Sequence, residues 1–168
     1  MAFKNNFGQS FGTTGFTEYG GGKNIWHEVK GQYPVGGVVD TTGKNAGDII
    51  KAGTLMYLDM AAHKVVAAPS EFSTSTAYAV GDYCSKSGVV YKCKATHSAG
   101  AWAADDFEAS KGGYGLVLND LLVDAAAKAA DGALTATLVY EGEIYASRTE
   151  LSAANLALVP QIVAIYEA

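Results

Sequence analysis

The sequence predicts a mainly β fold, and three observations carry that prediction. Short apolar runs bounded by glycine, proline and small polar residues recur along the chain, as strands punctuated by turns do. Leu134 to Tyr140 alternates apolar and polar, the period of a half-buried strand. No segment carries the 3.6-residue apolar period of a long amphipathic helix.

The elements follow in order. Residues 1–24 are glycine-rich, which disfavours helix, and contain Phe3, Phe7, Phe11 and Phe16. They read as an extended arm that covers its phenylalanines on a neighbouring subunit. The competing reading is a tail packed on its own domain. Next, Gly36–Asp40 and Ile49–Ile50 flank a polar turn region at 41–48. Ala52-Gly53 reads as a turn, Thr54–Leu58 as a strand, and Val65–Ala67 as its return strand. Residues 70–112 differ in character. They hold both cysteines, Trp102 and the tyrosines at 78, 83 and 91, and are predicted to be a small inserted β-hairpin module. From 113 the first style resumes. Leu116–Leu118 is a short strand, and Asp131-Gly132 a turn. Leu134–Tyr140 and Glu143–Ala146 are read as a hairpin turning at Glu141-Gly142. One short helix is expected over 149–156 with Thr149 as its cap, and Ala125–Ala130 is read as one helical turn or a loop. Gln161–Tyr166 is the last strand. The domain organisation is therefore an arm (1–24), a discontinuous β-rich domain (25–69 and 113–168) and an insert (70–112).

Composition narrows the function. The 168 residues are 49% apolar and 17% charged, with a net charge of -5. That length and apolar content suffice for a packed core. The low charge suggests a surface partly covered by other protein. Lysines and arginines are scattered singly, so phosphate neutralisation along nucleic acid has no support. No apolar run is long enough to span a membrane. The opening Met1–Asn6 lacks an apolar stretch after Lys4, from which synthesis in a cytoplasm is expected. Hydrolase and phosphate-loop motifs are absent, and no cofactor or catalytic residue is expected. Asp105, Asp106 and Glu108 read as a solvated acidic turn. Glu141 and Glu143 share a strand face without implying a pocket.

Within the insert, Ser87-Gly88 predicts a two-residue hairpin loop. That register sets Cys84 opposite Tyr91 and Cys93 opposite Asp82, so the cysteines lie diagonally on one face. Diagonal Cα separations of ~7–8 Å exceed the usual disulfide span of ~4.4–6.8 Å. Free thiols are favoured over a bridge in a shifted register. Tyr78-Ala-Val-Gly81-Asp82, then Gly88-Val-Val-Tyr91, then Trp102 resemble the carbohydrate-binding modules of the family 5/12 type. The resemblance implies a glycan face, with Tyr83, His97 and Trp102 as candidate contacts, since aromatic rings stack on flat sugar faces. The alternative makes Trp102 and Tyr91 the core of a module too small to fold otherwise.

The surrounding frame resembles phage head-decoration, or head-fibre, proteins. The residues that carry this are Ala52-Gly53-Thr54-Leu55-Met56-Tyr57-Leu58, Gly115–Asp120, Thr137–Ala146, and Leu151–Leu158 followed by Pro160–Ile165. The resemblance implies a compact barrel- or tulip-like domain seated on the major capsid protein as a homotrimer, stabilising the capsid. Its location would be the virion surface, after synthesis in the host cytoplasm. The arm with Phe3, Phe7, Phe11 and Phe16 would face the capsid, and the insert would point outward, towards glycans. The second expectation is a phage tail or secreted glycan-binding (adhesion) protein.

Overall fold

A computed structural model describes residues 25–129 and 134–166. The phenylalanine-bearing segment 1–24 and the Asp131-Gly132 turn lie outside the described residues. Among the described residues strand outweighs helix by 42% to 11%, which makes the fold mainly β, and the principal sheet curls into a half-barrel.

The frame begins with β1 (Trp26–Gln32), β2 (Gly37–Val39), β3 (Ile49–Ile50), β4 (Leu55–Asp59) and β5 (Lys64–Ala67). The insert supplies β6 (Tyr83–Lys86), β7 (Val89–Cys93) and β8 (Phe107–Ala109). The frame resumes with β9 (Gly112–Val117), β10 (Leu121–Leu122), α1 (Ala125–Ala129), β11 (Thr135–Ala136), β12 (Leu138–Tyr145), α2 (Ala153–Ala157) and β13 (Ile162–Ile165). The principal sheet runs β1-β12-β9-β4-β5-β2-β11, with β13 added alongside β12. β3 and β10 form a small separate ribbon.

β4 explains the layering. All five of its residues are buried, so its near-continuous apolar sequence marks a central strand covered on both faces. Met56 and Leu58 enter one core with Val65, Val117, Val123, Leu134 and Leu138. Leu55, on the other face, joins Trp26, Leu116, Val139, Ile144, Val159 and Ile162. Tyr57 and Asp59 also point to that second side, where the insert sits. Trp26 is tied in by its indole N–H, which donates to the Leu118 carbonyl at 2.9 Å.

Three expectations are corrected. Among the described residues there are two short α-helices rather than the one expected. α2 begins later than expected and is capped by Ser152, whose Oγ accepts from the Asn155 N–H, instead of by Thr149. Glu141-Gly142 is no hairpin turn: β12 runs straight through it. The glycine is there because a Cβ on residue 142 would sit 2.5 Å from the Glu28 carbonyl of β1. What read as punctuation is a close approach of two backbones. The last strand then pairs parallel to β12, from Gly142↔Ile162 to Tyr145↔Ile165.

Candidate binding face of the inserted module

The insert is a three-stranded antiparallel sheet, β6-β7-β8, rather than a lone hairpin. Ser87 and Gly88 have φ of 51° and 80°. Positive φ at both loop positions matches the right-handed twist of the strands they join. The register places Cys84 opposite Tyr91, and the Cys93 N–H donates to the Asp82 carbonyl at 2.8 Å. The run closes by residue 110, because Gly112 already pairs with Asp59 in the principal sheet.

Strand alternation gives this small sheet two different faces. One carries Cys84, Lys86, Tyr91, Cys93 and Phe107. Tyr78, Cys84, Cys93 and Phe107 are buried there, with Phe72, Tyr91 and Trp102 packed around them. Trp102 stacks on Phe107 with centroids 4.4 Å apart and planes 12° apart, and meets Tyr91 edge-on at 4.9 Å. With one ring face of Trp102 occupied by Phe107, the Lys86 ammonium lies 4.4 Å over the ring on the other. This is a cation–π contact. Phe72 adds a second ring 5.6 Å from the same ammonium.

The opposite face packs on the frame. Val90 is buried against Tyr57 and Val66, with Tyr83 and Tyr114 alongside. At this junction Asp59 is buried, and its carboxylate accepts from the Tyr83 hydroxyl at 2.9 Å and from the N–H groups of Ala61 and Ala62 at 2.9 and 3.0 Å. Burial by itself would push the Asp59 carboxyl up. The Ala62 N–H, the Tyr83 hydroxyl and the Ala61 N–H outweigh it and hold the group below the ordinary carboxylate range. Burial, and then the bond to this carboxylate, push the Tyr83 hydroxyl well above the ordinary phenol value.

The three residues expected to form a glycan face therefore do not share one. Tyr83 is on the frame side of the sheet, its hydroxyl committed to Asp59. His97 is 5% exposed, its ring enclosed by Phe72, Tyr78 and Phe107. Its Nδ1–H donates to Asp106 at 2.7 Å, which turns one of the expected acidic-turn residues into a structural acceptor. Trp102 alone remains on the outward face, half-buried, with Tyr91 and Lys86 beside it. Lys86 escaped the sequence reading. The available signal was its spacing of two from Cys84, which puts both on one strand face.

Both thiols are free and buried. Burial pushes the Cys84 thiol up to about 11, far from the thiolate that reacts. Neither cysteine should react with a thiol reagent at pH 8 in the folded chain, and both should react once it is unfolded. Stoichiometric labelling of the native protein would overturn that expectation.

Elsewhere the polar groups serve the frame. Glu143 accepts from Lys30 at 3.0 Å, which holds its carboxyl below the ordinary range. A cleft of about 310 Å³ beside the β3–β4 turn carries Lys51 and Glu150, paired with each other at 3.3 Å. Among the described residues no group of three or more histidine, cysteine or acidic side chains is placed to hold a metal ion, and no helix is long and apolar enough to cross a membrane. No protein-family model, curated protein or solved structure matches the chain.

Proposed function

We propose that this chain is a structural surface protein of a virus particle, seating its β frame on the capsid and holding the insert outward. The observation that supports this reading most is the way the insert is mounted. It is joined to the frame by a buried apolar cluster and by the Asp59–Tyr83 bond, packed against it rather than tethered. A packed mounting suits a decorating protein, whose copies would present the insert in the same way across a symmetric lattice. Major capsid protein is the proposed partner, with a homotrimer as the assembled form and residues 1–24, through their phenylalanines, as the capsid-facing segment.

The test is to add purified chain to phage-like capsids that lack it and to image the particles by cryo-electron microscopy. Ordered density at the threefold positions is the expected result, and bare capsids would overturn the reading.

A second reading, glycan binding by the outward face, is favoured by the half-buried Trp102 and Tyr91, with Lys86 above the Trp102 ring. A sugar stacking on Trp102 would have to displace the Lys86 side chain. Under this reading a glycan array gives binding that weakens at least tenfold in Trp102→Ala and persists in Tyr83→Phe. Equal binding by wild type and Trp102→Ala would remove it.

A further inference from the structure

After β1 the chain crosses the principal sheet through Tyr33, Pro34 and Val35 before entering β2. Beneath and beside this crossover is a pocket of about 110 Å³ lined by Tyr33, Pro34, Val35, Leu58, Met60 and His63. Dry apolar cavities of ~150 Å³ are known to take up a benzene molecule, so the space, open on one side, is of the order of one aromatic ring.

The pocket is built in advance rather than left between mobile side chains. Tyr33 is fixed from three directions. Its hydroxyl donates to the Tyr114 carbonyl at 3.2 Å, and its ring tilts against Tyr140 with centroids 5.1 Å apart. It also lies over Gly113, where a Cβ would collide with the tyrosine hydroxyl. Pro34 is stiff by its ring, and Leu58 is part of the core. On the rim, Val35 and Met60 are 50% and 45% exposed. A rigid, preformed apolar pocket with exposed aliphatic rims is the usual form of a small hydrophobic docking site.

We propose that this pocket seats a phenylalanine from the chain's own segment 1–24. The chain has six phenylalanines. Phe72 and Phe107 belong to the core of the insert, which leaves Phe3, Phe7, Phe11 and Phe16 as candidates to fill an aromatic-sized space. The reach fits. Tyr33 is eight residues beyond Ile25, where the described chain begins, so the two are roughly 26 Å apart along a strand. An extended chain spans at most ~3.3–3.6 Å per residue. Phe16, nine residues before Ile25, arrives only if pulled straight, whereas Phe11, fourteen before it, arrives with slack. Phe11 is thus the expected occupant. Docking it covers an aromatic side chain and the exposed Val35–Met60 rim together, removing an apolar patch from water. This seating does not rest on the virion reading, and it takes Phe11 out of the phenylalanines of residues 1–24 that would face a capsid.

The experiment uses the full chain with 13C-labelled methionine methyl groups. The Met60 methyl is expected to show a nuclear Overhauser effect to phenylalanine ring protons and a ring-current shift, both lost in Phe11→Leu. In a mixture of copies labelled separately on methionine and on phenylalanine, the effect should be absent, because pocket and ring belong to one chain. Its appearance in the mixture would overturn the proposal in favour of a second copy as the donor. A Met60 signal that shows no contact, and is unmoved when all four candidate phenylalanines become leucine, would overturn it altogether.

Discussion

Phe107→Ala is expected to cost about 4 kcal/mol, the typical loss for truncating a buried phenylalanine, and to unfold the insert before the frame. Phe107 is 4% exposed and lies at the centre of the insert's aromatic cluster. Trp102 stacks on it at 4.4 Å, and Tyr78, His97 and Phe72 meet it at 5.7, 5.2 and 5.9 Å. On the β strands it stands opposite Cys93. So small a core has no second layer to close over the void, so the full cavity cost should appear. Urea titration followed by tryptophan fluorescence reads the effect, since Trp102 reports the insert and Trp26 the frame. The variant should show an early transition from Trp102 and an almost unchanged late one from Trp26. A single transition shifted by less than about 1 kcal/mol would mean that the cluster is not the insert's core.

How much of this was legible in the sequence depends on whether the deciding partner was local. Ser87-Gly88 fixes its hairpin because the constraint, positive φ at two adjacent residues, is carried by those residues themselves. Thr54–Leu58 reads as a strand because its apolar run is local, whereas the central place of β4, covered on both faces, is set by strands distant in sequence. Glu141-Gly142 misleads for the opposite reason: the glycine answers to the Glu28 carbonyl of a strand more than a hundred residues earlier, and nothing adjacent distinguishes that use from a turn. The parallel pairing of β13 with β12 is equally non-local. So is the capping of α2 by Ser152, since Thr149 offers the same hydroxyl three residues earlier, while Leu151 and Leu156 on either side of Ser152 pack on a core built from distant strands. In the insert, the aromatic and cysteine content marked a stretch of different character, but type alone could not separate Trp102, on the outward face, from His97, inside, and Tyr83, at the junction. That separation follows from strand parity and from partners at Asp106 and Asp59.

The Asp59–Tyr83 contact should act as the latch between insert and frame, and its strength should depend on pH. Tyr83→Phe removes one hydrogen bond to a buried carboxylate, expected to cost about 2 kcal/mol. Asp59→Ala strands the hydroxyl and two N–H groups together and should cost about 3 kcal/mol. Because both changes remove the same bond, the double variant should be more stable than the sum of the single losses predicts. The carboxyl is held below its ordinary value in the fold, so its ionised form is the one that folding favours. The stability linked to that preference is complete above the unfolded-state value of roughly 3.9 and is lost as pH falls through the lower folded-state value. Wild type should therefore lose its advantage over Asp59→Asn on acidification from pH 5 to pH 2, while Tyr83, whose hydroxyl is pushed upward, stays protonated throughout. Calorimetric melting of the two proteins across that range measures the gap. A gap that stays constant with pH would show that the buried carboxylate does not hold the insert in place.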